Sequence, residues 1–458
     1  MTHDFSGSLM AGGTPTRALA DWCAALRDGR PSEAVLRESA RHVLDTLAAC
    51  AAGMRQPLVR AAIELERGIN AQPGPVALFG GPERWTVLES AGLMAVACHA
   101  LEMDDGNREG SIHPATTVVP AVLALGWRQG ADYLEFLCAV VAGFEVAVSI
   151  AEALHPHASQ RGFQTTPVAG VVGAAAACAT LLGLDSAGIE SAMGLAASAS
   201  GGLFAYLAGG GNVKKFHPGH AAREGLRAAL MARQGAAQGP RGVIEGHAGL
   251  LQAFGGLAQW DGSRARERAA PAIVRSYLKP YPCCRHIHPA VDAVLALKAG
   301  AAWQAADVAA IEVETYGSAM PHARLPWDTL EVAQLSFPWV MALACADGAV
   351  TLAGFSEAAR ARPDLNALAA RVSVTQTQEC DSLYPASGPA RVTLRLRSGE
   401  SLSEWVADPL GSADRPLADE ALDRKAEEAF GLVFPAAKVQ ALIGQLRRLE
   451  PWPLAELY

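Results

Sequence analysis

Ala- and Gly-rich helical text recurs along the first half of this chain, at roughly 87–102, 114–129, 131–154, 168–183, 186–200, 219–234 and 241–254, with Gly or Pro punctuation between the runs. Small side chains at so many helix positions let backbones approach closely. The pattern therefore predicts a compact all-helical domain and argues against a bundle of broad Leu-rich seams. Ahead of these runs, residues 32–52 read as an amphipathic helix: Ser32 after Pro31 is the N-cap, Leu36, Ala40, Val43 and Leu47 share a face, and Gly53 is read as the stop.

At 458 residues and 50% apolar, the chain exceeds one ordinary core and can bury two without disulfides or metals. The text changes near 257–275, where AQWDGSRARERAAP is polar and Pro-terminated. Beyond it, a helix at 289–300 mixes with alternating segments. These are Ile311, Val313 and Thr315; Val372 and Val374; and Val392, Leu394 and Leu396, opposite Arg391, Thr393, Arg395 and Arg397. Ser398, Gly399 and Glu400 turn the last of these back into 401–407 as a hairpin. Helical text then resumes at 418–430 and 435–449. The expected fold is mainly α: a large all-helical domain formed by both chain ends, 1–265 and 409–458, and a smaller inserted α+β domain, 266–408.

With 18% of residues charged and a formal net charge of −8, the chain lacks the basic face that phosphate binding needs, so the reading is no nucleic-acid partner and a small ligand. The nine cysteines are odd in number, scattered and mostly inside apolar runs, which reads as reduced, buried thiols of a cytoplasmic protein. The segment MTHDFSGSLMAGGTPTRALA has an early acidic residue and no basic-then-apolar order, so it is not read as a signal peptide. Apolar stretches such as 168–184 are short, Ala/Gly-dominated and interrupted by Thr180, so no membrane partner is expected.

Four stretches could carry chemistry. In EMDDGNREGSIHPATTVVP, residues 102–120, Glu102, Asp104 and Asp105 are read as ending one helix, where the macrodipole disfavours carboxylates, and His113-Pro114 opens the next. The plain alternative is a solvated acidic turn. A metal reading fails for want of ligand spacing. In RGFQTTP, residues 161–167, Arg161 could clamp a carboxylate while Gln164, Thr165 and Thr166 donate hydrogen bonds; helix capping by either Thr is the competing role. In NVKKFHPGHAAREG, residues 212–225, Lys214, Lys215 and His217 place positive charge at a helix start, a setting for a carboxylate and a base beside it, against the alternative of solvated lysines. In YLKPYPCCRHIHP, residues 277–289, adjacent Cys283 and Cys284 cannot comfortably ligate one ion and no second Cys pair stands at ligand distance. That stretch reads instead as an extended crossing segment delivering Arg285 or a His to an anion.

Together these stretches resemble the MmgE/PrpD family, which includes 2-methylcitrate dehydratase, cis-aconitate decarboxylase and iminodisuccinate epimerase. The resemblance rests on Asp104, Asp105, His113 and Pro114; on Arg161 and Gly162; on Lys214, His217, Gly219, Ala221, Ala222 and Gly225; on KPYPCCR from Lys279 to Arg285; and on the SFPWVMALACADG helix around Ser336. These elements run in family order over nearly the whole chain. The resemblance implies the two-domain layout above, a homodimer, no cofactor and no required metal. It also implies proton handling at a carbon next to a carboxylate of a small polycarboxylate. Carried over by position, Lys214, His113, Asp104 and Asp105 are catalytic candidates. Arg161, Gln164, Thr165, Lys215, His217, Lys279 and Arg285 are substrate-binding candidates.

The chain keeps an acid, Glu102, where decarboxylase-like members carry one, but departs from them in having Gly106 in place of a hydroxyl residue and Gln164 in place of a histidine. An amide cannot switch charge near neutral pH as an imidazole does, so this reading favours dehydration over decarboxylation. Epimerisation and a catalytically silent polycarboxylate-binding dimer are the alternatives.

Overall fold

Ser32 caps the helix Glu33–Gly53 by accepting a hydrogen bond from Val35 N at 3.5 Å, and the face carrying Leu36, Ala40, Val43 and Leu47 is buried as its spacing predicts. Gly53 does not stop this helix. It is the last helical residue, and a Cβ there would sit 2.0 Å from Ala97 O on the helix Val87–His99, so its smallness sets how closely the two helices pack. Gly173 has the same function between Thr165–Leu181 and Tyr133–Leu154, where a Cβ would meet Ala147 Cβ at 2.5 Å. Ala and Gly content is thus converted directly into interhelical distance.

The computed structural model describes residues 14–69, 73–257, 260 and 270–457. The protein is mainly α. It divides into two units, one holding residues up to Ala100, Asp104–Leu278 and Ala418 onward, the other Leu101–Met103 and Lys279–Leu417. The expected junction at 265/266 and most of the N-terminal segment read above lie outside the described residues. The chain changes unit at 278/279 and 417/418, later than composition suggested. Hydrogen bonds explain both shifts. Ala272 N donates to Glu145 Oε2 at 2.7 Å and Tyr277 bridges Gly106 through N–O distances of 2.7 and 3.1 Å, which hold 272–277 in the helical unit. Asp292 accepts from Leu410 N at 2.6 Å and from Arg415 at 2.9 Å, holding 409–415 in the other.

In the helical unit, Tyr133–Leu154, Thr165–Leu181 and His217–Gln234 form the centre, with Val87–His99, Ala115–Gln129 and Ser186–Ala197 around them. Asp419–Phe430 and Ala436–Arg447 pack on Glu33–Gly53, and Lys425 Nζ lies 2.5 Å from the buried Asp45 Oδ1. Tyr133–Leu154 is a second apolar run, and the longer one. By length and composition it could cross a membrane, but 94% of its window is buried, as a core helix should be. The helix expected over 241–254 does not form. Residues 241–249 are turns followed by a single π-turn, Leu251–Gly255, because Gly242, Gly246 and Gly249 remove helix propensity and Gly242 and Ala248 take φ values of +61° and +59°.

The second unit holds a four-stranded sheet in the order β4–β3–β5–β6, formed by β3 Val308–Thr315, β4 Val372–Gln376, β5 Ala390–Leu396 and β6 Ser401–Val406 (β1 and β2 being the short pair Val76–Ala77 and Arg84–Trp85). β3 pairs parallel with β4 and antiparallel with β5. A register shift between Val308 and Ala310 lets Val308, Ile311, Val313 and Thr315 all face the core despite the uneven spacing. The helices His288–Gly300 and Phe337–Asp347 pack against the sheet and bury Val291, Val294, Trp339 and Leu343 with it.

Candidate active site

His99 is the last residue of the apolar helix Val87–His99, and the chain turns from there into the loop that carries the aspartates. The aspartates therefore do not end a helix, as the sequence suggested. Asp105 Oδ1 instead accepts from Ala115 N at 3.2 Å, in the first turn of Ala115–Gln129, where the helix dipole favours a carboxylate. Its Oδ2 lies 2.8 Å from His42 Nδ1, and its backbone carbonyl lies 2.7 Å from His113 Nδ1. Asp105 is thus committed to holding the loop.

Asp104 does something different. Its Oδ2 sits 2.9 Å from the Nδ1 of both His99 and His113, whose rings meet edge to face at 5.0 Å between centroids. A backbone carbonyl only accepts hydrogen bonds, so the contact with Asp105 O requires the proton of neutral His113 to be on Nδ1 and leaves a lone pair on Nε2. His113 is the partly exposed member, at 16%, while His99 and Asp104 are fully buried. Thr166 Oγ1 accepts from His113 N at 3.2 Å and fixes the backbone beside it.

Two His–Asp pairs of matching length have opposite electrostatics. Burial drives the His99 imidazole down to about 3; Asp104 opposes this, but Lys214 and His113 reinforce it, so His99 is neutral. For His42, burial also works to lower the basicity, yet the hydrogen bond and charge of Asp105, with Glu38 and Asp45, hold it above the ordinary imidazole value. The neighbours differ: Lys214 adds its charge beside His99, whereas carboxylates surround His42. Asp104 therefore faces, in His99, one imidazole that stays neutral.

Lys214 and Lys215 are both buried in the 3-10 turn Val213–Phe216, which excludes the reading of solvated lysines. The Lys214 charge acts on both His99 and His217, which places it among these imidazoles. His217 opens the next helix, with its Nδ1 2.5 Å from Gln164 Oε1, so Nδ1 carries the proton. Burial pushes its imidazole down to about 4, with His220 and Lys214 adding to the effect.

The remaining candidates are elsewhere occupied. Gln164 is the N-cap of Thr165–Leu181 but makes no side-chain cap bond, and neither Thr caps that helix: Thr165 Oγ1 donates to Ser111 O, and Thr166 serves His113. Arg161 is exposed and donates to Ala253 O at 3.4 Å, and no described contact joins it to the His–Asp cluster. In the second unit, Lys279 Nζ lies 3.4 Å from Glu102 Oε2, and Glu102 itself takes a φ of +53°, a strained backbone for a non-glycine residue. Arg285 donates to Leu410 O at 2.7 Å, Pro409 O at 3.1 Å and Ser412 Oγ at 2.7 Å, so its guanidinium pins the chain's own loop rather than waiting for an anion.

His99, Asp104 and His113 offer donor atoms within 4.8 Å of one another. With protons on both Nδ1 atoms directed at oxygens, the trio fits a hydrogen-bonded relay better than an open ligand set. Sequence reasoning missed His99 and His42. The available signal was a histidine inside each of two otherwise apolar helix faces, since a buried imidazole needs a partner.

Residues 17–263 match the MmgE/PrpD N-terminal domain and residues 281–450 the MmgE/PrpD C-terminal domain. A cis-aconitate decarboxylase of Aspergillus terreus is 27% identical over 96% of this chain and 95% of its own length. The human cis-aconitate decarboxylase is 24% identical over 93% of this chain and 89% of its own length. A cis-aconitate decarboxylase-like protein of Aspergillus oryzae is 31% identical over 49% of this chain and 48% of its own length.

Proposed function

Since the chain belongs to the MmgE/PrpD family, we propose that it is a cofactor-independent lyase acting on a small hydroxy-di- or tricarboxylate, of the 2-methylcitrate dehydratase type. The observation that carries this reading is the Asp104 carboxylate shared by two imidazoles beside a buried lysine. His113 Nε2 takes the proton from the carbon next to a substrate carboxylate, and Asp104, 2.9 Å from Nδ1, offsets the imidazolium that forms. The Lys214 ammonium binds the carboxylate onto which negative charge moves and gives a proton to the departing hydroxyl. The C–O bond breaks, an alkene forms and water leaves. Lys214 and His113 then exchange the proton back through solvent.

The names of the relatives favour a second reading, decarboxylation of an unsaturated tricarboxylate. Gln164 weighs against it, because its amide holds His217 and cannot itself donate a proton at neutral pH. Citrate-type acids and cis-aconitate should therefore be assayed for alkene absorbance and carbon dioxide release, with deuterium wash-in from heavy water. Alkene without carbon dioxide is the expected result, and the Lys214→Met variant should be slower by roughly 10²–10⁴-fold. Full turnover by that variant would remove the reading. Carbon dioxide release would favour the second, and deuterium wash-in without alkene would indicate epimerisation.

A further inference from the structure

In the second unit two donors from one segment, Cys284 and His286, converge with a third, His322, from farther along the chain. Cys284 Sγ lies 3.6 Å from His322 Nε2, the His286 and His322 rings stack at 5.6 Å and 29°, and one ligand atom from each of the three residues falls within 4.8 Å of the others. A tetrahedral zinc ion with a thiolate at about 2.3 Å and an imidazole at about 2.0–2.1 Å places sulfur and nitrogen about 3.6 Å apart. The observed spacing therefore already matches one edge of such a site.

The surroundings orient the donors. His322 Nδ1 donates to Leu335 O at 3.1 Å, so its Nε2 carries the lone pair facing the sulfur. His286 Nδ1 is 2.8 Å from Tyr316 OH, and Tyr316 stacks on Tyr384 at 4.3 Å, so that ring is also held. Cys284 N donates to Gln334 O at 2.9 Å, and Gln334 Nε2 donates to Pro282 O at 2.9 Å, which fixes the segment carrying the thiol. The objection that adjacent cysteines cannot share an ion does not arise. Cys283 is wholly buried in the core and Cys284 alone turns toward the imidazoles.

We propose that Cys284, His286 and His322 bind a borderline-soft divalent transition cation of the zinc class, with a fourth position left to water or an exogenous ligand. The proposal does not depend on the lyase chemistry proposed above. The ion's effect is to tie the segment 282–288 to the segment 317–335. One thiolate and two imidazoles select against magnesium and calcium, which take oxygen donors.

The test is to titrate the full-length chain, stripped with chelator and dialysed, with cobalt(II) alone. One equivalent per chain should bring up a near-ultraviolet thiolate-to-cobalt charge-transfer band and tetrahedral visible bands, both abolished by zinc(II). Cys284→Ser should lose the charge-transfer band, and His322→Gln should weaken binding by about 10-fold or more. His113→Gln should leave the band intact, because the His99–Asp104–His113 cluster holds no sulfur. Absence of the band from the unsubstituted chain overturns the proposal, as does its survival in Cys284→Ser.

Discussion

Replacing His99 by Asn tests the electrostatics on which the candidate site depends. Asn keeps a donor near the position of Nδ1, 2.9 Å from Asp104 Oδ2, but cannot titrate. The native imidazole is held down at about 3, chiefly by burial, whereas in the unfolded chain it returns to its ordinary value of about 6.5. On acidification the unfolded state therefore takes up a proton that the folded state refuses, and stability falls. At about pH 7.5 this effect is negligible; at about pH 5.5 it amounts to ~1.4 kcal/mol, since the unfolded imidazole is then roughly ten-to-one protonated. That figure holds for any folded value below about 5, and the full loss is reached only below the folded value itself. The variant lacks this loss. Its destabilisation relative to the parent, measured by urea unfolding followed by far-ultraviolet ellipticity, should be smaller by ~1.3 kcal/mol at about pH 5.5 than at about pH 7.5. A difference that stays constant, or grows on acidification, would mean that Asp104 outweighs burial and that His99 is charged. The reading of His99 as a neutral partner of Asp104 would then be wrong.

Gly53→Ala should lower stability by about 1–3 kcal/mol because the added Cβ meets Ala97 O at 2.0 Å, against the gain of about 1 kcal/mol that Ala ordinarily brings to a helix; a thermal melt as stable as the parent's would refute the packing argument. Gln164→Glu places a carboxylate where the amide oxygen stands 2.5 Å from His217 Nδ1, so the His217 imidazole should rise from about 4. Nitrogen-resolved imidazole titration checks this, and an unmoved titration would show that the two side chains are not in contact in solution.

The sequence alone determined the helical majority and the alternating segments that become the four-stranded sheet. These depend on local period and composition, and Ser32, the alternation in β5 and the run of Ala and Gly state them directly. Composition could not show that Gly53 continues its helix, because what it accommodates is the backbone of another helix far along the chain. Nor could it show that Asp105 caps and positions while Asp104 bridges two imidazoles, since adjacent aspartates are locally identical. Arg285 read as an anion binder because its loop partners lie more than a hundred residues away. His99, His42 and His322 became visible only once the fold enclosed them. Burial turns an imidazole from a tolerated surface group into one that must find a partner, and whether the neighbours are Lys214 or Asp45 then sets its charge. Local period fixed what most segments would become, though not 241–254; the dielectric and company of each buried group were decided by tertiary packing.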